Sequence, residues 1–167
     1  ELDIAEGVSK ANSGVLHAGF MVPPDSLKAR LNVEGLKEFP YLAQNLGVPV
    51  HNSEKLVVGR TESDRNELRR LMDQGRRSGV RGLSMIGASE IRRLEPNVVA
   101  KYAILSRKTS VTLPYLFAIA LAENPLLNGV SVALGTEITG MRRDVDADRL
   151  LLTTSQGGTH SSRCVVN

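Results

Sequence analysis

A short segment, NSGVLHAG from Asn12 to Gly19, combines small residues with one histidine in a way that suits ligand contact better than core packing. Ser9, Asn12 and Ser13 supply short polar side chains, and Gly14 and Gly19 allow close backbone approach. His17 is the one ring in this loop able to donate, accept or titrate near neutrality. Loops of this kind bind flavins or phosphates. The alternative reading is a polar turn entering an apolar strand, with a histidine satisfied by its neighbours.

The other chemistry-bearing residues are sparse. His51 falls in a turn with no second ligand-type residue at metal spacing, and His160 lies on a strand between Thr159 and Ser161. Asp144, Asp146 and Asp148 imitate the start of a calcium loop. Its sixth position is Arg149 rather than glycine and its twelfth is Ser155 rather than glutamate, so no metal site is expected. Seven arginines crowd between Arg60 and Arg81, interleaved with Glu62, Asp64, Glu67 and Asp73 in a helical pattern. With few aromatics and no Trp, this reads as a solvated helix face, and no nucleic-acid partner is expected.

These residues must be positioned by a chain of 167 residues with a net charge of +3, long enough to bury one core. No apolar run approaches the ~20 residues of a membrane helix. Single Cys164 in an apolar strand pattern fits a reducing cytoplasm and a small core residue. Helices and strands alternate without a low-complexity linker. Asp25 or Ser26 caps a helix carrying Leu27, Leu31, Phe39, Leu42 and Leu46, expected to kink or break near Gly35 or before Pro40. Val48 to Val50 and Lys55 to Val58 read as a small antiparallel unit. Thr61 and Asp64 form a capping box for a helix buried through Leu68, Leu71 and Met72, which Gly75 and Gly79 help to end.

Further on, Val80 to Ile86 read as a strand, and Ser89 caps a short helix that Pro96 closes. Ala100 to Leu105 are extended, and Thr112 caps a helix beginning at Leu113 or Pro114, apolar on most sides and expected to be the most buried. It ends at Asn124-Pro125 or Asn128-Gly129. The last third reads as strands over Val130 to Leu134, Glu137 to Arg143, Arg149 to Thr154 and Thr159 to Val166. The fold class expected is α+β, with a mixed or antiparallel sheet and packed helices.

The run GVSKANSGVLHAGFMVPPDSLKARLNVEG, from Gly7 to Gly35, resembles the FAD-dependent glycerol-3-phosphate dehydrogenase and L-2-hydroxyglutarate oxidase group of the D-amino-acid-oxidase-like superfamily. The resemblance continues through GVPVHNSEKLVVG (Gly47 to Gly59), the LEP of Leu94 to Pro96, LPYLFAIALAENPLLNGV (Leu113 to Val130) and RCVVN (Arg163 to Asn167). SKANSG at Ser9 to Gly14 looks most like the anaerobic-type glycerol-3-phosphate dehydrogenase branch. No GxGxxG occurs in the chain. In the resembled proteins that fingerprint cradles the dinucleotide pyrophosphate upstream of the position matching Glu1, and an Ala-Ala-Gly follows the strand matching Val165 to Asn167. The chain therefore reads as an internal piece of a longer flavoenzyme.

The resemblance implies a single substrate-side domain over residues 1–167, with 7–25 a flavin-contacting loop, and FAD as cofactor. It implies oxidation of a secondary alcohol, best matched by sn-glycerol 3-phosphate going to dihydroxyacetone phosphate, with electrons passing to quinone or another acceptor. An L-2-hydroxyglutarate or other 2-hydroxy acid oxidase is the alternative. His17 is the candidate catalytic residue; Ser9, Asn12, Ser13 and Gly14 are candidates for holding the cofactor. Arg30, close after the loop, is the candidate for binding an anionic substrate. Where relatives often read like PTAGIVD, Ser106 to Thr112 read SRKTSVT, so no catalytic role passes to that segment. The resemblance also implies a cytoplasmic protein, with peripheral association at the inner face of a membrane. The competing class is a non-catalytic binding module derived from a flavoenzyme.

Overall fold

The computed structural model describes residues 2–166 and shows an α+β chain in which every strand pairing is antiparallel. In chain order the elements are β1 (Val15–Leu16), α1 (Leu27–Asn45), β2 (Val50–Asn52), β3 (Lys55–Gly59), α2 (Glu62–Arg77), β4 (Leu83–Gly87), α3 (Ala88–Leu94), β5 (Tyr102–Ser106), β6 (Ser110–Thr112), α4 (Pro114–Leu127), β7 (Ile138–Asp144), β8 (Arg149–Thr154) and β9 (Thr159–Ser162). They form three small sheets, ordered β1-β6-β2, β3-β5-β4 and β7-β8-β9.

Strands β2 and β3 do not pair with each other as the sequence led us to expect. Both run beside one long partner, β2 on β6 and β3 on β5. Asn52 faces Ser110 and Lys55 faces Ser106, so Ser53 and Glu54 stand opposite Arg107, Lys108 and Thr109. One extra residue on the β5–β6 side makes a bulge, which bends the ribbon and divides it between two sheets. Glu54, at φ 55°, turns the other side of the ribbon and donates its N–H to the Thr109 carbonyl at 3.0 Å.

The core lies on both faces of β5. Ile104 joins Phe20, Ala18, Leu68, Leu71 and Met72 under α2, while Ala103 and Leu105 join Ile86 and Ile91 under α3. A central strand buried on both sides needs a continuous apolar run, which Tyr102 to Leu105 supply. The capping box is present as read: Thr61 accepts from the Asp64 N–H, and Asp64 accepts from the Thr61 N–H.

Several local expectations are corrected. Helix α1 runs unbroken through Pro40, because a proline removes one backbone donor while the flanking turns keep theirs. Of the two caps offered by the sequence, Ser26 is the one that serves. Gly75 lies inside α2 rather than ending it: a Cβ there would meet Leu83 Cδ1 at 2.6 Å and Phe20 Cβ at 2.7 Å. Gly87 stands at the N-cap of α3 in place of Ser89, and Thr112 gives its hydroxyl to the Pro49 carbonyl instead of capping α4. Val130 to Leu134 form no strand, and Cys164 is exposed beyond the end of β9.

The largest difference concerns α4, which has no buried residue. A helix apolar on all sides needs cover around most of its circumference. Here Phe117 meets the Phe39 ring of α1 at 4.8 Å between centroids, while Leu121 and Leu127 face solvent.

The two helical glycines should respond oppositely to alanine. Gly75→Ala forces Phe20 and Leu83 apart, and overpacking of this kind costs about 1–3 kcal/mol against a helix-propensity gain of at most about 1 kcal/mol. Gly35 has nothing within 4 Å of its notional Cβ, so Gly35→Ala should stabilise. Urea denaturation of the complete protein checks both, with a lower midpoint expected for the first and an unchanged or higher one for the second.

Candidate active site

The loop before β1 builds its own shape. The Asn12 carboxamide donates to the carbonyls of Val8 at 3.1 Å and Ser9 at 3.0 Å, and its oxygen accepts from the Gly14 N–H at 3.0 Å. These are the bonds of an Asx-type turn, so Asn12 spends its polar atoms on the loop itself. Gly14 sits at φ 66°, and a Cβ there would fall 2.2 Å from the Thr112 carbonyl oxygen. Its own carbonyl accepts from Thr112 N–H at 2.9 Å, which aligns β1 on β6. Ser9 and Ser13 are exposed.

After β1 the chain is held down by α2. Gln74 donates from Nε2 to the carbonyls of Phe20 at 3.0 Å and Val22 at 2.7 Å, and Arg77 pairs with Asp25 at 3.1 Å. Phe20 and Ala18 are buried beneath these contacts, and the intervening register leaves His17 on the surface.

His17 lines two adjoining recesses against α1. One, of about 710 Å³, has apolar walls from Val15, Leu16, Leu27, Leu31, Leu36 and Phe39, with His17, Lys28 and Asn32 as its polar members. The other, of about 250 Å³, runs over Ala18 to Val22 and reaches Lys28, Lys55 and Thr109. Lys55 Nζ lies 3.2 Å from Met21 Sδ and 5.9 Å from the centre of the Phe20 ring, within cation–π reach. Partial burial pushes the His17 imidazole below its ordinary value, and the charges of Lys55 and Lys28 push it further the same way. Burial and the two ammonium groups thus act in the same direction, toward the neutral imidazole.

Arg30 is placed elsewhere. It pairs with Glu34 at 3.9 Å and lines a separate recess with Asp25, Arg77 and Ser78. The two lysines beside His17 escaped sequence reasoning. Lys28 belonged to a polar helix side, and Lys55 is brought to the loop only by the ribbon's register.

The large recess suits the ring end of a flavin: an apolar slot for a planar system, with a titratable edge and positive charge at one rim. It is not a phosphate cradle, since the loop's one carboxamide is already committed and no glycine-rich turn leads into a helix here.

A family model for FAD dependent oxidoreductases, the DAO family, matches residues 1–167. The chain is 30% identical over 169 residues to a glycerol 3-phosphate dehydrogenase of Caloramator mitchellensis, covering all of this chain and 35% of that protein. It is also 30% identical over 141 residues to the mitochondrial L-2-hydroxyglutarate dehydrogenase of Homo sapiens, with 84% of this chain and 30% of the relative covered. Among solved structures, the FAD-bound L-alpha-glycerophosphate oxidase of Mycoplasma pneumoniae superposes with a TM-score of 0.83 at 26% identity, covering 93% of this chain and 41% of the other. The chain thus spans about a third of the length of these curated relatives. The antiparallel sheets and flanking helices are those of a flavoprotein oxidoreductase fold. The chain belongs to the DAO family of FAD-dependent oxidoreductases, whose cofactor is FAD. No helix among the described residues is long and apolar enough to cross a membrane.

Removing one positive charge should let His17 hold its proton to higher pH. In Lys55→Gln the imidazole is expected to titrate closer to the ordinary 6.5, as followed by the His17 ring signals in an NMR pH series. A titration left unmoved, or moved down, would show that Lys55 does not act on this ring.

Proposed function

We propose that this chain is the substrate-facing part of an FAD-dependent dehydrogenase that oxidises the secondary alcohol of a small anionic substrate. Sn-glycerol 3-phosphate, oxidised to dihydroxyacetone phosphate with electrons passed to quinone, is the reading we favour. One observation carries it: a histidine that shares its recess with two lysines beside an apolar slot, its imidazole pushed below its ordinary value by partial burial and by their charges.

When bound, FAD supplies the two-electron acceptor. His17 accepts the proton of the substrate hydroxyl, a task for which a neutral imidazole is the required form. Lys28 and Lys55 attract the anionic end of the substrate and disfavour the imidazolium that results, so the proton leaves His17 for solvent, to which the ring is open. Asn12 and Gly14 hold the loop, over residues 7–25, in the form that presents Ser9 and Ser13 toward the cofactor. Arg30, paired with Glu34 on another flank of α1, stands apart from this group, so we assign the anionic end to the lysines.

The name of the Caloramator relative and that of the Mycoplasma oxidase support glycerol 3-phosphate. L-2-hydroxyglutarate is the second reading, supported by the human relative at the same identity. Either substrate offers a hydroxyl beside an anionic group. Docking to an anionic membrane face would serve electron transfer to quinone.

In the complete protein, His17→Ala should lower kcat by about 10²- to 10⁴-fold, the usual contribution of a positioned acid–base group, with the bound-flavin absorbance retained. His51→Ala and His160→Ala should leave turnover near wild type. Lys55→Gln should raise KM more than it lowers kcat. Rates with glycerol 3-phosphate and with L-2-hydroxyglutarate decide between the two substrates. Equal losses at all three histidines would remove His17 from its role.

A further inference from the structure

Helix α1 has a second recess on its other flank, of about 850 Å³, which the reading above does not use. Its lining brings together Lys37, Arg81, Arg107 and Lys108 with apolar Val33 and Val80, it adjoins the His17 recess at Leu16 and Leu36, and no aspartate or glutamate among the described residues lines it. Among the described residues seven ion pairs are formed, four of them by arginines of α2. None of the seven involves the four cations of this recess.

The cations stand on a built scaffold. Arg107 and Lys108 occupy the bulge between β5 and β6, where Asn52, oriented with its amide nitrogen toward the bulge, donates to the carbonyls of Arg107 at 3.2 Å and Thr109 at 3.0 Å. Arg107 N–H donates to the Gly82 carbonyl at 2.9 Å, and buried Ser106 and Thr109 join their hydroxyls at 3.0 Å. Arg107 gives one guanidinium N–H to Ser84 at 2.9 Å. Gly82, at φ 75°, lets the Lys108 stem pass close over the backbone, with its Cγ 3.2 Å from a notional Cβ. A rigid bulge thus holds two adjacent cations toward a cleft whose far sides add two more.

Like charges gathered in a cleft raise a field that repels each cation and draws anions, and low-dielectric walls concentrate it. We infer that this recess binds an organic polyanion, a small molecule carrying two or more phosphate or carboxylate groups on an apolar frame, at a site separate from that of His17. The bulge brings a guanidinium and an ammonium to one recess, which suits anionic oxygens, and Val33 and Val80 in its lining suit carbon. A free metabolite and the headgroup of an anionic lipid share this chemistry. The inference is independent of turnover, so it stands or falls apart from the assignment of His17.

The test uses the complete protein at low ionic strength. Calorimetric titration with pyrophosphate and with citrate covers the free-ligand source, and sedimentation with phosphatidylglycerol against phosphatidylcholine vesicles covers the lipid source. The inference expects binding in at least one arm, weakened about tenfold or more in the volume-preserving Arg107→Gln/Lys108→Gln variant. Arg69→Gln, a change on α2 outside the recess, should leave that binding unaltered. Binding of the soluble anions, blocked by neither vesicle, identifies a metabolite site; binding of the anionic vesicles alone identifies a lipid one. Thermal melts of both variants verify that they fold. No binding in any arm overturns the inference, as does an equal loss with Arg69→Gln, which would reduce the effect to overall charge.

Discussion

Helix α2 reaches the segment after β1 only because residue 75 has no side chain. With Gly75 against the Cβ of Phe20, Gln74 comes within hydrogen-bonding distance of two carbonyls of that segment, and Arg77 meets Asp25 one turn further on. Phe20 is then buried with Leu68, Leu71 and Met72, and its burial fixes the strand that precedes it. The placement of His17 follows from packing three residues away, at Phe20. Burial and the charges of Lys55 and Lys28 disfavour the protonated ring, so the neutral form is the one compatible with this placement, and the clamp beneath it holds the segment with apolar contact and two backbone-directed hydrogen bonds.

The bulge in the long ribbon is the second organising feature. Because three residues face two at that point, the ribbon changes sheets there, and its two halves deliver charge to different flanks of α1. Lys55, at the start of β3, comes to the His17 side; Arg107 and Lys108 come to the opposite recess. One helix thereby separates two positively charged pockets built from neighbouring stretches of chain.

Features decided within a few residues were legible in the sequence. The Thr61–Asp64 capping box, the buried stripe of α2, the Ser26 cap and the bounds of β8 all depend on spacings a reader can count. How the loop's residues divide the work was not legible: Asn12 and Gly14 shape the turn, while the side chains of Ser9 and Ser13 are exposed. Features that depend on a distant partner were hidden. Strands β2 and β3 look like a hairpin because nothing local reveals that they run on end to end along β6 and β5. Thr112 resembles a cap until its hydroxyl finds Pro49, and Gly75 resembles a helix stop until Phe20 arrives. The apolar circumference of α4 announces burial, yet the surface that would bury it is not among the described residues.

Gly14 shows how such a loop can mislead a functional survey. Any side chain there would collide with the Thr112 carbonyl and pull β1 off β6. A mutational screen scored on activity would rank this glycine beside His17. Scored on cellular abundance, it would separate them, because the glycine substitution depletes the folded protein, whereas on the role proposed above the histidine substitution silences protein that is still there.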